Sequence, residues 1–168
     1  DAARFSAFKN HQEQKALYQL MLDEEGKIRT FSQFKKLALP VTGQYNQNWL
    51  ASEYHAALAN AQAAKKWAGF EKNTDLYPNL EYRTAGDADV RPSHQALNGL
   101  ILPVNDPQWK TIYPPNGWGC RCYVTQTDKI INRPVGWEEI EPDKGFDFNP
   151  GIEKKLFSDT AGYYQAEG

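Results

Sequence analysis

The sequence has very little cysteine: only Cys120 and Cys122 occur in 168 residues, and one residue separates them. A disulfide between such close neighbours is strained, and on a strand the two side chains point to one face without meeting. The class of small disulfide-stabilised domains is therefore excluded. The two thiols remain either small buried groups or ligands of a metal ion.

Long apolar runs and a large net charge are also missing. No apolar run approaches the ~20 residues of a membrane-spanning helix, and the N-terminus lacks the pattern of a signal peptide. The formal net charge is only -2, so no general attraction to nucleic acid is expected. We expect a soluble protein with no membrane partner and no strong sequence-specific nucleic-acid binding. The chain begins at Asp1 rather than methionine, and we expect it to be an excised or processed piece.

The sequence also lacks the usual short motifs of enzymes. It contains no phosphate-binding loop, no metalloprotease helix motif and no nucleophile elbow. His94 near Asp87, Asp89 and Cys120 can be drawn as a nucleophile with a base, but nothing in the sequence orients these residues. We therefore expect no catalytic residues and no enzyme activity. The alternative is a toxin or hydrolase that uses the loop of His94, Cys120 and Cys122, with or without zinc.

Apolar residues recur at helical spacing over the first 72 residues. The pattern predicts a helix over residues 4–22, a short helix that Thr30 caps and Pro40 ends, and a long helix over residues 46–72. The stripe of the long helix is expected in the core; it comprises Trp49, Leu50, Tyr54, Leu58, Ala61, Ala64, Trp67 and Phe70.

Beyond residue 73 the pattern changes to short alternating segments typical of strands. Residues 80–84 and 121–125 are predicted to pair at the base of a long loop, residues 87–122, here called the motif loop. Residues 129–168, here called the C-terminal arm, carry aromatic side chains expected to pack on the domain or on a partner: Trp137, Phe146 and Phe148.

These patterns predict an α+β fold with an N-terminal helical layer on a small antiparallel sheet, a long motif loop rich in glycine and proline, and an extended arm. We expect one domain over residues 1–128, helical to about residue 72, followed by the arm.

The motif loop lacks helical or strand periodicity, so side-chain contacts are expected to hold it together. Asp87 or Asp89 is expected to pair with Arg91, and His94 to share a face with Arg91. On a strand, Arg121 faces away from both cysteines, where it can pair with an acidic group.

Glycine and proline are expected to shape the backbone of this loop. Gly99, Gly117 and Gly119 are predicted to adopt positive φ, and Pro114 and Pro115 to stiffen the approach to the cysteines. The full predicted network comprises Asp87, Asp89, Arg91, His94, Gly99, Trp109, Pro114, Pro115, Cys120, Arg121 and Cys122.

An ordered series of uncommon segments resembles the phage Mu protein F-like minor head proteins of the phage head morphogenesis group. The segments are YNQNWLASEY at 45–54, LYPNLEY at 76–82, RPSH at 91–94, LNG at 97–99, DPQW at 106–109, PPNGWGCRC at 114–122 and GFDFNPG at 145–151. The resemblance implies a minor capsid component that acts in head assembly near the portal. It also implies portal and capsid proteins as partners, and location in the virion, with the host cytoplasm during assembly.

In other branches of that group, this segment resembles a metal-binding knuckle. It has cysteines near the positions of Arg91 and His94 and a histidine before the Cys-x-Cys. This chain departs from that pattern, since its first position is arginine and its second is histidine. We therefore expect no cofactor and a metal-free hydrogen-bonded cluster. A zinc ion bound by His94, Cys120 and Cys122 is the alternative.

Overall fold

The computed structural model describes residues 16–42 and 47–158, without the side chains of residues 41–42 and 47–50. The described residues form two compact units, one within residues 16–56 and the other of residues 57–158. None of the helices in the described ranges combines the length and apolar character needed to cross a bilayer.

In the first unit, helix α1 (Phe31–Thr42) begins as the sequence predicts. The backbone N–H of Thr30 donates to Gln33 Oε1 at 2.9 Å, and the Gln33 N–H donates back to Thr30 Oγ1 at 3.4 Å. This reciprocal pair satisfies amide groups that a helix start leaves free. The predicted end at Pro40 is wrong. Proline removes one helical hydrogen bond and crowds the carbonyl four residues earlier, which weakens a helix without always ending it, and here the helix continues to Thr42.

Aromatic contacts hold the described part of this unit. The ring of Tyr54 lies 5.5 Å from that of Phe31 and 5.4 Å from that of Phe34, and its hydroxyl donates to the Arg29 carbonyl at 2.6 Å. Residues 16–19 are helical, in agreement with the end of the predicted first helix; residues 4–15 of that prediction lie outside the described ranges. Tyr54 belongs to helix α2 (Gln47–Lys72), which confirms the helix predicted over residues 46–72.

The second unit contains a three-stranded antiparallel sheet. Strand β1 (Asn79–Arg83) lies at the centre, between β2 (Ile101–Pro103) and β3 (Tyr123–Thr127). The register places Leu80 opposite Leu102 on one side and opposite Gln126 on the other. The predicted α+β class and the pairing of two strands at the base of the motif loop are confirmed. Sequence reasoning missed β2, whose three residues are too few to show alternation.

Four short helical segments connect these strands and the C-terminal arm. They are α3 (Pro92–Ala96), α4 (Trp109–Ile112), a 3-10 turn (Trp137–Glu139) and α5 (Pro150–Glu153). Asn149 caps α5, since its Oδ1 accepts from the Gly151 N–H at 2.9 Å, while its Nδ2 donates to the Trp109 carbonyl at 3.1 Å. One buried side chain therefore both starts a helix and joins the arm to the domain.

The core of the second unit packs the end of α2 against the sheet and the short helices. Its buried members are Ala63, Trp67, Leu80, Tyr82, Leu97, Leu100, Leu102, Val104, Trp109, Ile112, Tyr113, Val124 and Trp137. The Tyr113 hydroxyl donates to the Ala63 carbonyl at 3.0 Å, so the polar end of a buried ring is satisfied as well.

The aromatic side chains of the arm pack on the domain. Trp137, Phe146 and Phe148 are each at most 5% exposed, and Phe146 meets Trp118 edge to face with ring centroids 5.2 Å apart. Of the two alternatives that the sequence left open, packing on the domain is therefore the one observed. The boundary between domain and arm after residue 128 stays a prediction.

Candidate functional site

The motif loop brings its histidine to its two cysteines. His94 lies on α3, which begins at Pro92, where the fixed φ of proline suits the first helical position. Cys120 and Cys122 lie just before β3, whose pairing with β1 fixes their position along the sheet. Histidine and cysteines come together because both ends of the loop are anchored next to the same central strand.

The geometry of the three side chains is compact. His94 Nδ1 lies 3.6 Å from Cys120 Sγ and 3.7 Å from Cys122 Sγ, and the three ligand atoms lie within 4.8 Å of one another. His94 is 4% exposed, and both thiols are half-buried. We call this set, His94, Cys120 and Cys122, the His-Cys-Cys cluster.

Hydrogen bonding between the two thiols shifts their pKa values in opposite directions. The bond from Cys122, followed by the backbone N–H of Asn116, lowers the pKa of Cys120 to about 6. The same thiol bond and burial raise the pKa of Cys122. The pKa of Cys120 therefore lies below that of Cys122.

Arg121 pairs with an acidic group, as the sequence predicts, although residues 121 and 122 precede β3 and the predicted strand over 121–125 begins at Tyr123 instead. Its guanidinium donates to both carboxylate oxygens of Asp87, at 2.6 and 2.8 Å, and lies 3.8 Å from Asp89. The pKa of Asp87 is lowered, chiefly by these bonds, and that of Arg121 is raised. The carboxylate that was expected to pair with Arg91 thus pairs with Arg121. Arg91 instead donates to the carbonyl of Trp118 at 2.7 Å.

Tyr82 and Asn116 support the cluster from the core side, and sequence reasoning missed both. Tyr82 is fully buried on β1, and its hydroxyl accepts from Asn116 Nδ2 at 3.1 Å. Burial raises the pKa of Tyr82, and its hydroxyl also contacts the Cys122 thiol. The signal for Tyr82 was available, because its apolar neighbours on an alternating strand marked that face as buried.

Of the three loop glycines, two have the predicted backbone. Gly99 and Gly119 adopt φ of 81° and 67°, whereas Gly117 does not have a positive φ. A Cβ at Gly117 would lie 2.9 Å from Asp143 Cγ and closer still to its carboxylate oxygen, so the exposed Asp143 side chain would have to move aside.

The other predicted network residues are buried beside the cluster or in the core. Pro114 and Pro115, joined by a cis peptide bond, are both buried. Trp109 belongs to the core, where its indole N–H donates to the Pro103 carbonyl at 2.9 Å. Its role is packing below the sheet, apart from the chemistry of the cluster.

A small cavity adjoins the cluster. It has a volume of about 20 Å³, and its lining includes His94, Cys120, Cys122, Asp89 and Arg91. This volume is sufficient for a single water molecule. Imidazole nitrogen and thiolate sulfur are the preferred ligands of zinc, so the cluster offers three ligands and the cavity leaves space beside them.

Comparison with known proteins places these residues in a family. The family model described as Phage Mu protein F like protein matches residues 12–125, more than half of the chain and including the whole motif loop. No solved structure matches the chain significantly.

Three curated relatives match about half of the chain. A proposed capsid assembly protein F of Escherichia phage Mu is 39% identical over 87 residues, which are 52% of this chain and 20% of that protein. The Mu-like prophage FluMu F protein of Haemophilus influenzae is 44% identical over 71 residues, or 42% of this chain and 15% of that protein. An uncharacterised protein of Methanocaldococcus jannaschii is 34% identical over 92 residues, or 54% and 13%. The matched regions thus span at most a fifth of the length of these relatives. Because the family model matches more than half of the chain, the chain belongs to the phage Mu protein F-like family.

Proposed function

We propose that this chain is a structural domain of a minor head protein of a Mu-like phage or prophage, and that it acts in head assembly near the portal. The observation that carries the proposal is the family match over residues 12–125, together with 39% identity to a protein named for capsid assembly. In this proposal the domain binds portal and capsid proteins, resides in the virion head, and passes through the host cytoplasm during assembly.

The role in this proposal is structural rather than enzymatic. The alternative of a toxin or hydrolase at the motif loop gains no support from the relatives, of which one is named for capsid assembly and another as a prophage F protein. The cluster itself also favours a static role, since Tyr82 and Asn116 hold it by hydrogen bonds on its core side.

The surface for a head-assembly partner is expected on the first part of the arm. Because the arm's aromatic side chains are buried in the domain, they are not available to a partner. Ile130 is 86% exposed and Val135 is 101% exposed, with Ile131 between them at 46%. The proposal places the partner surface here because these three exposed aliphatic side chains lie within six residues.

The test is co-expression of the full chain with the portal and major head proteins of its own phage or prophage, followed by gradient isolation of the particles and mass spectrometry. We expect the chain to sediment with the particles in few copies. Omission of the portal protein should abolish its incorporation, because the proposal assigns it a position near the portal. Particles that form normally and contain none of the chain would contradict the proposal.

Ile130→Asp with Val135→Asp should lower incorporation by ~10-fold or more, the effect of losing about 1.4 kcal/mol of contact energy. Leu76→Asp is the matched control, since Leu76 is 72% exposed but lies outside the arm. Equal losses of incorporation in the arm variant and in the control would contradict the placement of the partner surface on the arm.

A further inference from the structure

We infer that the His-Cys-Cys cluster is a zinc site, with His94 Nδ1, Cys120 Sγ and Cys122 Sγ as protein ligands and the fourth position open to the adjoining cavity. This site does not depend on the proposed head role. Its function is to join the two ends of the motif loop, residues that lie 26 positions apart in the sequence.

The two nitrogen-to-sulfur distances match those of a tetrahedral zinc ion. With Zn–N of about 2.0–2.1 Å and Zn–S of about 2.3 Å, the tetrahedral angle places nitrogen and sulfur about 3.6 Å apart. The observed separations from His94 Nδ1 are 3.6 Å to Cys120 Sγ and 3.7 Å to Cys122 Sγ. Each sulfur therefore lies at the distance from the imidazole that a shared ion requires, and all three ligand atoms lie within 4.8 Å of one another. In the bound site the two sulfurs would be about 3.8 Å apart.

A metal-free cluster accounts less well for the same geometry. In either neutral tautomer, Nδ1 of a histidine offers a single N–H or a single lone pair. It can therefore make one good hydrogen bond, yet both thiols lie at nearly the same distance from it. A shared metal ion would use both sulfurs at such equal distances from the imidazole, because it accepts several ligands at once.

The charge of the proposed site is balanced. Each cysteine loses its thiol proton to solvent as its sulfur bonds to Zn²⁺, and two thiolates with a neutral imidazole cancel the charge of the ion. A neutral complex avoids the cost of burying a net charge beside Tyr82. The tyrosine hydroxyl, which contacts Cys122, can stabilise the thiolate as an outer hydrogen bond.

The fourth position faces the cavity of about 20 Å³ beside the cluster. This volume accommodates one water molecule, which is the usual fourth ligand where a protein supplies three. Asp89 lines the same cavity, and its side chain is 88% exposed. The cavity therefore opens to solvent on the side of Asp89.

The direct test is the metal content of the full chain, expressed in zinc-supplemented medium and purified without chelator or histidine tag. We expect one equivalent of zinc by elemental analysis. Replacement by Co²⁺ should give the thiolate-to-cobalt charge-transfer absorption and the visible d–d bands of a tetrahedral site. Wild-type protein that contains no zinc and shows neither absorption with Co²⁺ would overturn the proposal in favour of a metal-free cluster.

Variants separate ligation from folding. His94→Ala, Cys120→Ser and Cys122→Ser should each lower zinc affinity by more than the ~10–100-fold expected for losing an outer hydrogen bond, whereas Tyr82→Phe should fall within that range. His94→Cys should retain zinc and alter the cobalt spectrum, because thiolate also ligates zinc. His55→Ala is the control, since His55 is exposed in the first unit.

Thermal melts supply the second readout. A chelator should lower the Tm of the wild type and leave the Tm of Cys120→Ser unchanged, because the variant has no site to lose. Equal melts of the wild type with and without chelator, at full removal of metal, would contradict a structural zinc site. If a variant fails to fold, the zinc content and cobalt spectrum of the wild type decide the question alone.

Discussion

Two neighbouring regions of the second unit are stabilised by different forces. Below the sheet, Leu80, Leu102 and Trp109 have no exposed surface, and their stabilisation comes from apolar burial. In the motif loop, the side chains of Asp87 and Arg121 are 43% and 52% exposed, so solvent weakens their ion pair. The loop is therefore held by its few buried polar groups rather than by its visible ion pairs.

Tyr82 joins the two regions. Its ring belongs to the apolar core, while its hydroxyl accepts from Asn116 and contacts Cys122. This one side chain transmits the rigidity of the sheet to the cluster. If the comparison holds, core changes should cost far more stability than changes at the exposed part of the loop.

The largest effect is expected for Trp109→Ala. Loss of a fully buried indole that also donates to the Pro103 carbonyl should destabilise the protein by about 3–5 kcal/mol, measured by urea unfolding. Trp118→Ala is the matched control. Trp118 is 38% exposed, and its replacement should cost much less. Equal losses for the two variants would show that the loop is packed as tightly as the core.

A smaller loss is expected for Gly151→Ala. The added methyl group would collide with the side chain of Trp67, which is 3% exposed and cannot move aside, so we expect a cost of about 1–3 kcal/mol. Gly69→Ala is the control: Gly69 lies within α2 with nothing near its added Cβ, and alanine there should stabilise the helix by about 0.5–1 kcal/mol. A neutral Gly151→Ala would mean that the arm packs loosely against α2.

Tyr82→Phe tests the link between core and loop. The ring packing is retained, but Asn116 loses its buried acceptor, which should cost about 1–3 kcal/mol in the free energy of unfolding. Tyr123→Phe on β3 is the control, since Tyr123 is 43% exposed and no loss is expected. A Tyr82→Phe protein as stable as the wild type would show that the hydroxyl does not support the loop.

The smallest effect is expected for Arg121→Gln. Without the guanidinium, the pKa of Asp87 should rise toward its ordinary value, which carboxyl carbon NMR can follow. The folded pKa of Asp87 lies below the unfolded one, so its stabilising effect is present at neutral pH and is lost as pH falls through the folded pKa. Arg133→Gln, an exposed change in the arm, should leave Asp87 unaltered. An unchanged pKa of Asp87 in Arg121→Gln would show that the ion pair does not lower that pKa.

The comparison also explains which sequence predictions were accurate. Helix α2 was placed to within one residue because helical spacing is a local signal. The expected core stripe was correct only in part: Tyr54 and Trp67 are buried, whereas its other described side chains, Leu58, Ala61, Ala64 and Phe70, are half-buried. The cap at Thr30 was likewise local, since its partner Gln33 lies three residues away. In the motif loop, sequence proximity favoured Arg91 as the partner of Asp87. The pairing of β1 with β3 brings Arg121 to Asp87 instead, across 34 residues.

The sequence by itself determined the two long helices, the two main strands and, through its ordered motifs, the family. These features depend on periodicity, caps and residue identity over short spans. Only the tertiary structure decided that β2 completes the sheet, that the arm's aromatic side chains are buried, and that His94 meets both cysteines. The reason is physical: a contact between distant residues depends on how the strands pair and the loop closes, and a local pattern carries no information about either.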